Sequence, residues 1–313
     1  MVSTRWNRLV RFVAKEDDRE YVGEPEDNAL DIGAALALDQ PVSVRVFTGS
    51  SALDLSAEPT DKVLTVGRLL APLTADEVGT IRCIGLNYRN HAREMNLELP
   101  DHPTLFFKPA TCLGHPNAPL VIPEQATDGQ ADYEAELAVV IGREARNVPR
   151  ADALSYVLGY TSSNDVTARK HQFHGAQWGF GKGFDGFAPL GPCIVSTKSI
   201  PDPSVIEIKT VLNGEVMQEG RGDDMIFSIA EIVSYLSQGT TLAPGTVIMT
   251  GTPHGIGVSR TPPVFLQPND DLRIVVSHGV GSLVNKVVYE SSGKKVNGNG
   301  VHANGVNGSN GTA

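Results

Sequence analysis

Residues 132–142 read DYEAELAVVIG, in which an acidic start leads directly into a run of apolar residues. Side chains two residues apart on a strand point to the same face, so Glu134 and Glu136 are predicted to face the same way at the entrance of a strand. Two carboxylates on one face repel each other unless a cation or solvent lies between them. This pair alone is consistent with both a solvated strand edge and a metal site.

Short runs rich in β-branched residues, one of them within this stretch, recur between glycines and prolines, a pattern typical of strands. They cover residues 81–84, 105–107, 137–141, 206–212, 247–249, 272–276 and 283–289. Asn213 and Gly214 lie between two such runs and predict a hairpin. Helix signals are confined to residues 150–157 and residues 228–236. In the second stretch Ser228 and Glu231 have the spacing of a capping box.

These patterns predict an α+β, β-rich domain over residues 79–290, with few helices, rather than a doubly wound nucleotide-binding fold. Residues 1–78 contain strand-like runs and turn clusters but no recognisable chemistry, and they predict a small N-terminal module that supports or caps the rest. Residues 291–313 are almost entirely Ser, Gly, Asn, Lys and Val. Such a segment buries too little apolar area to order itself, which predicts a disordered tail.

Composition excludes several classes of partner. The 313 residues carry a formal net charge of -10, and no basic stripe is present, so we expect no nucleic-acid binding. No apolar run approaches the length that spans a bilayer, so we expect no membrane partner. The three cysteines are isolated from one another, which predicts a reducing compartment and a cytoplasmic protein. Arg5, Arg8 and Arg11 faintly suggest a transit peptide, but acidic residues follow at once, and a mitochondrial location is less favoured.

A third carboxylate, Asp165, follows the strand-like residues 158–162. Three carboxylates without a cluster of His or Cys favour a hard cation, Mg²⁺ or Mn²⁺, with Ca²⁺ as a further option. Lys182 lies among glycines and aromatic residues in QWGFGKGFD, residues 177–185, where it could approach an anionic ligand closely.

Two further motifs suggest a site. His91 and Glu94 are three residues apart and would share a face on a short helix, where they could orient and deprotonate a water. A surface ion pair at a helix start fits the same spacing. The segment GTPHGIG, residues 251–257, follows a strand but lacks the lysine of a phosphate loop, so it predicts a tight turn that lines a site.

The ordered set of motifs resembles the fumarylacetoacetate hydrolase superfamily over residues 81–289. The motifs are GLNYRNHAREM, PTLFFKP, DYEAELAVVIGR, GYTSSNDVTAR, QWGFGKGFD, FAPLGP, NGEVMQ, MIFSIAEIVSYLS, LAPGTVIMTGTPHGIG and GVGSLVNKV. Each is weak alone, but their order is specific. The similarity is greatest to the branch of acylpyruvate hydrolases, oxaloacetate decarboxylases and oxaloacetate tautomerases.

The resemblance implies a mixed β-roll that carries the site, and a homodimer. It also implies roles for eight residues: Glu134, Glu136 and Asp165 as metal ligands, Lys182, His91 and Glu94 as catalytic residues, and Thr252 and Gln177 as substrate contacts. Gly183 and Gly186 stand where the family commonly carries hydroxyl residues.

The implied function is that of a divalent-metal-dependent enzyme acting on a small 2-keto or 1,3-dicarbonyl acid, by carbon–carbon bond hydrolysis or by oxaloacetate decarboxylation. In the hydrolysis, Glu94 tuned by His91 would deprotonate the attacking water. The alternatives are an oxaloacetate keto–enol tautomerase, or an isomerase, hydratase or decarboxylase of a larger keto acid from aromatic degradation or polyketide chemistry, for which the two glycines would enlarge the pocket. A catalytically inactive binding member is a further alternative.

Overall fold

The computed structural model describes residues 2–290, so the predicted disordered tail, residues 291–313, lies outside the described residues. The strands are β1 (Arg8–Ala14), β2 (Glu20–Pro25), β3 (Ser43–Phe47), β4 (Pro59–Leu70), β5 (Ile81–Gly85), β6 (Thr104–Lys108), β7 (Leu113–Gly114), β8 (Leu120–Ile122), β9 (Ala131–Asp132), β10 (Ala135–Ile141), β11 (Val157–Asn164), β12 (Thr167–Ala168), β13 (Ala188–Ser196), β14 (Glu207–Leu212), β15 (Glu215–Arg221), β16 (Val247–Met249), β17 (Asp271–Val276) and β18 (Gly281–Tyr289).

The α-helices are short. They are α1 (Ile32–Ala37), α2 (Ala75–Val78), α3 (Arg89–Glu94), α4 (Arg169–Phe173), α5 (Gly179–Lys182) and α6 (Ile229–Leu236). The predicted α+β, β-rich class is confirmed. Within the described residues, no helix is both long enough and apolar enough to cross a membrane.

The main sheet has the order β2-β3-β4-β1-β13-β11-β10-β16-β5-β6, with β7 pairing alongside β13. Its central strands β10 and β11 are buried along their whole length. They are antiparallel, with Ala135 opposite Asn164, so the start of β10 lies beside the end of β11. Glu134 and Asp165 are the residues just beyond these two strand ends.

A second sheet has the order β15-β14-β17-β18-β8. Strands β14 and β15 form the hairpin predicted at Asn213 and Gly214. The two sheets share one core cluster, to which Val139 and Tyr160 contribute from the main sheet and Ile208 and Ile274 from the second. The short strands β9 and β12 pair with each other and place Asp132 opposite Thr167. These residues are two positions from Glu134 and from Asp165, respectively.

The N-terminal strands extend the main sheet. Strand β1 pairs with β13 through Arg8 and Leu9, and it also pairs with β2 and β4. Val10 and Phe12 belong to the same core cluster as Val139 of β10. The division at residue 78 stays a prediction.

The two helix predictions had different outcomes. Helix α6 begins after Ser228, and the capping box with Glu231 is formed in full, as predicted. Residues 150–157, predicted to be helical, form a 3₁₀-helix over Arg150–Tyr156 instead of an α-helix. This segment leads directly into β11, and the tighter 3₁₀ turn is common in such short connectors.

Candidate active site

The three predicted metal ligands converge. The side chains of Glu134, Glu136 and Asp165 are buried, and one oxygen from each lies within 4.8 Å of the others. Glu134 and Glu136 flank the start of β10 on one face, and Asp165 follows β11. The Asp165 backbone N–H donates to the Glu134 carbonyl over 2.9 Å, which extends the strand pairing by one step. The convergence therefore follows from the register of two adjacent strands.

Lys182 at the end of α5 reaches this cluster. Its Nζ donates to Asp165 Oδ2 over 2.6 Å, to Glu134 Oε2 over 3.0 Å and to Thr167 Oγ1 over 2.8 Å. The side chain is 2% exposed, so these contacts form in a region of low dielectric. Burial lowers the pKa of Lys182, but the charges of Asp165 and Glu134 outweigh burial and raise it above the ordinary lysine value. Lys182 is therefore a fixed positive charge beside the cluster.

Two further cationic side chains contact the acidic cluster, and the sequence did not predict a role for either of them. Lys108 at the end of β6 donates to Asp165 Oδ1 over 2.5 Å and to the Phe187 carbonyl over 2.6 Å. Arg169 donates to Glu134 Oε1 over 2.6 Å and to Asp132 Oδ2 over 2.8 Å. Lys108 stands in the quoted motif PTLFFKP, and Arg169 ends GYTSSNDVTAR, so each motif contained the signal without indicating its role.

The two glutamates differ in their electrostatics. Burial raises the pKa of Glu134, but the charges of Lys182 and Arg169 outweigh it and lower the pKa to about 2. Burial and the neighbouring charges of Asp165 and Glu134 raise the pKa of Glu136 well above its ordinary value. Glu136 Oε2 accepts a hydrogen bond from the Gly251 N–H over 2.7 Å.

The cluster fits a divalent cation. Its oxygens have the spacing and chemistry that Mg²⁺ or Mn²⁺ accepts. Four buried carboxylates, Asp132, Glu134, Glu136 and Asp165, face three buried cations, Lys108, Arg169 and Lys182. One negative charge is therefore in excess, and the raised pKa of Glu136 indicates where a further positive charge would be stabilising.

His91 and Glu94 lie on α3, as predicted, and form a pair. His91 Nδ1 lies 3.0 Å from Glu94 Oε2. Glu94 Oε1 accepts from the Gly255 N–H over 2.8 Å and from the Ser259 hydroxyl over 2.7 Å. Burial raises the pKa of Glu94, but hydrogen bonds from His91, Ser259 and Gly255 outweigh burial and lower it. Glu94 is thus held as a carboxylate.

Residues 250–257 form a turn that anchors several parts of the site. Gly251 has a φ of +96°, and a Cβ there would lie 2.7 Å from the Asn87 Cβ, so the turn requires glycine. Thr252 Oγ1 accepts from Gln218 Nε2 over 2.8 Å, and Gln218 Oε1 accepts from the Ala135 N–H over 2.9 Å. This chain of hydrogen bonds fixes the turn against the start of β10.

A cavity of about 170 Å³ lies over the cluster. It is lined at one end by polar and charged side chains: His91, Glu134, Glu136, Asp165, Arg169, Gln172, Lys182 and Thr252. Leu86, at the strand-to-helix corner, also lines it with a φ of +51°, a conformation that costs a leucine energy and often marks a functional site.

The structure does not bring every predicted residue to the cavity. Gln177 is exposed and lies outside the lining, whereas its neighbour Trp178 is part of it. Gly183 and Gly186 do not line the cavity either, so they do not widen it directly. Glu94 does not line the cavity, whereas its partner His91 does.

A buried cluster of acids and cations at the base of a cavity in a β-rich fold defines an enzyme-type site.

Comparison with known proteins also indicates an enzyme. Residues 80–288 match the family described as fumarylacetoacetate (FAA) hydrolase C-terminal. Caffeoylpyruvate hydrolase of Neonothopanus nambi is 42% identical over 295 residues, covering 93% of this chain and 96% of that protein. Mitochondrial oxaloacetate tautomerase FAHD2A of Homo sapiens is 41% identical over 221 residues, covering 70% and 69%.

Solved structures of related enzymes have the same fold. The 2-hydroxyhepta-2,4-diene-1,7-dioate isomerase of Mycobacterium marinum superposes with a TM-score of 0.74 at 33% identity, covering 92% of this chain and 99% of that one. The fumarylacetoacetate hydrolase of Exiguobacterium antarcticum has a TM-score of 0.74 at 32% identity, covering 90% and 99%. The chain belongs to the fumarylacetoacetate hydrolase family, and the prediction of an enzyme of this superfamily is confirmed.

Proposed function

We propose that this protein hydrolyses the carbon–carbon bond of an acylpyruvate, releasing pyruvate and a carboxylic acid. The observation that carries the proposal is the placement of His91, oriented by Glu94, on the wall of the same cavity that holds the acidic cluster and Lys182. Hydrolysis needs a group that activates water next to the group that binds the keto acid, and this cavity offers both. The relative named caffeoylpyruvate hydrolase supports the same reaction class.

Glu134, Glu136 and Asp165 would hold the divalent cation, Mg²⁺ or Mn²⁺. When bound, such a cation supplies Lewis-acid polarisation of the keto acid's oxygens. The charged end of the cavity binds the pyruvate half of the substrate, and Thr252 and Arg169 orient its polar atoms from the lining. Arg169 and Lys182 also offset the negative charge that this half carries.

His91, rather than Glu94, is the base that we assign to the reaction, which reverses the order expected from sequence. Glu94 already accepts hydrogen bonds from Gly255 and Ser259 and has a lowered pKa, which makes it a weak base. As a carboxylate it accepts the Nδ1 proton of His91, which leaves Nε2 as the ring nitrogen with the free lone pair. Glu94 is then a positioning residue.

The proposed hydrolysis begins with proton transfer from water to His91. His91 Nε2 takes a proton from water, and the hydroxide oxygen attacks the acyl carbonyl carbon. The bond between that carbon and the methylene breaks, and its electron pair passes to the pyruvate half as an enolate. The proton held by His91 returns to the methylene carbon. The fixed positive charge of Lys182 stabilises the negative charge that develops on the pyruvate half.

A second candidate is keto–enol tautomerisation of oxaloacetate, favoured by the identity to the relative named oxaloacetate tautomerase. It requires only proton transfer at the carbon next to the ketone, which His91 could perform from the same position. Oxaloacetate decarboxylation and isomerisation of a larger keto acid share the same residues. An inactive binding member fits less well, because the charged cluster and the His91–Glu94 pair meet at one cavity.

Assembly and location follow the same proposal. We infer a homodimer in the cytoplasm from the family and from composition. Sedimentation of the purified protein tests the dimer, and imaging of a tagged chain tests the location against the mitochondrial one that some relatives' names state.

Proton NMR of the purified protein with Mg²⁺ or Mn²⁺ tests the activity against acetylpyruvate and oxaloacetate. We expect EDTA-sensitive release of acetate and pyruvate from acetylpyruvate, and a loss of about a hundredfold or more in His91→Asn. His254→Asn, at an exposed histidine outside the cavity lining, is the matched control and should keep full activity. Faster keto–enol exchange of oxaloacetate without cleavage of acetylpyruvate would favour the tautomerase instead.

A further inference from the structure

The lining of the cavity also includes a set of large apolar side chains. They are Met95 and Leu97 after α3, and Phe173 and Trp178 around α4 and α5. Phe106 of β6 is a further lining residue, and it lies next to both Trp178 and Lys182.

Trp178 is held in place by its neighbours. Its ring packs edge-on against Phe106, with centroids 5.3 Å apart and an interplanar angle of 72°. Lys182 Nζ lies 5.1 Å from the centroid of the same Phe106 ring, so this aromatic wall borders the charged cluster directly. Offset and edge-to-face contacts of this kind also bind a planar ring of a ligand.

Gly85 provides the space for Trp178. A Cβ at position 85 would lie 2.6 Å from Cζ3 and 3.0 Å from Cη2 of the indole. Side chains of any size at this position would therefore displace the ring from the cavity wall. The absence of a side chain at the end of β5 is what allows the indole to line the cavity.

Two of the apolar lining residues are accessible to a ligand. Leu97 is 53% exposed and Phe173 is 63% exposed, and burial of such side chains by a ligand is favourable. A second carboxylate, as in oxaloacetate, would lose its hydration here. Both cations that line the cavity, Arg169 and Lys182, are already paired with acidic residues at the charged end.

We propose that the acyl group of the substrate is a planar aryl or aryl-alkenyl group that packs against Trp178 and Phe106, and that Gly85 and Trp178 determine this specificity. The proposal rests on the hydrolase function proposed above. In that arrangement the pyruvate half lies on the charged cluster, the acyl carbonyl lies within reach of His91, and the ring contacts the apolar lining residues.

The test compares kcat/KM for benzoylpyruvate and acetylpyruvate within each protein, because a ratio of two substrates cancels any loss of folded enzyme. We expect the wild type to favour benzoylpyruvate by about tenfold or more, since lost apolar contact in a pocket costs about that factor. Trp178→Ala should lower the ratio about tenfold, mostly through KM for benzoylpyruvate. Gly85→Ala should also lower the ratio of kcat/KM for benzoylpyruvate to kcat/KM for acetylpyruvate.

Phe180→Ala is the matched control. Phe180 lies in the same segment and is 64% exposed, but it packs on His171 and Phe184 and does not line the cavity. Its substrate ratio should equal that of the wild type.

The two proposals fail differently. Equal kcat/KM for both substrates in the wild type, or an unchanged ratio in Trp178→Ala, overturns the aryl specificity and leaves the hydrolase function standing. No cleavage of either substrate overturns the hydrolase function and the specificity with it.

Discussion

Glu136 differs from the other acids of the cluster in its partners. Glu134, Asp132 and Asp165 each accept a hydrogen bond from a buried cation, whereas Glu136 accepts one from a backbone N–H. Its carboxylate is therefore where the excess negative charge of the network is concentrated, and a bound cation would stabilise it most.

Replacing Glu136 by Gln is expected to remove cation binding while the fold remains. The wild type should gain about 2.7 kcal/mol of unfolding free energy when Mn²⁺ is raised to about a hundred times its dissociation constant, and Glu136→Gln should gain little. Thermal unfolding with and without Mn²⁺ measures this. The control is Glu215→Gln, at an exposed site on β15, which should respond like the wild type. A full Mn²⁺ response in Glu136→Gln would contradict the assignment of Glu136 as a ligand.

Lys108 gives a second prediction at this scale. Its removal in Lys108→Met leaves Asp165 Oδ1 without its cation, so the buried network carries two excess negative charges instead of one. We expect the unfolding free energy to fall by about 3–5 kcal/mol, the typical cost of breaking a buried ion pair. Urea unfolding provides the measurement. Lys170→Met breaks an exposed pair with Asp128 and should cost much less, because solvent screens that pair. Equal losses in the two variants would mean that the buried network contributes nothing beyond a surface pair.

At the level of elements, helix termini and strand ends position the site. Residues 226–227, just before α6, bind Asn87: the Asn87 carbonyl accepts from the Ile226 N–H, and its side chain joins Phe227 to the Thr250 carbonyl. The start of α6 is thus linked to the corner that precedes α3, and through α3 to His91.

Loss of the α6 cap should be measurable. Ser228→Ala removes the side chain that accepts from the Glu231 N–H, and we expect a loss of about 1 kcal/mol in unfolding free energy. Glu231→Gln, which keeps an acceptor for the reciprocal half of the capping box, should cost less. Chemical denaturation measures the unfolding free energy of both variants. A larger loss of unfolding free energy in Glu231→Gln would indicate that the ion pair of Glu231 with Arg150 stabilises the protein more than the cap does.

At the scale of the whole molecule, residues 2–78 and the catalytic region share one sheet and one core cluster. Strand β1 covers the edge of β13 that would otherwise be open, and open edges of apolar strands promote aggregation. A chain that begins at residue 79 is therefore expected to lose cooperative thermal unfolding and to aggregate. Removal of residues 291–313, predicted from composition to be disordered, should leave the melting temperature unchanged. A soluble, cooperatively unfolding 79–290 fragment would show instead that the module is dispensable.

The sequence by itself determined the strand-rich class, the capping box of α6, the hairpin at Asn213 and three acidic residues of the cluster, Glu134, Glu136 and Asp165. Each is a local property, because alternation, turn chemistry and cap spacing act over a few residues. Glu134 and Glu136 could be paired from sequence because they lie two apart on one strand.

Tertiary structure alone decided the rest. Lys108, Arg169 and Asp132 join the cluster from separate elements, and nothing in their local sequence distinguishes a buried partner from a surface charge. The fit of Trp178 against Gly85 joins residues 93 positions apart, and Gln177, its neighbour, is exposed outside the cavity lining. Distances of this kind depend on sheet register and chain crossings, which only the packed fold establishes.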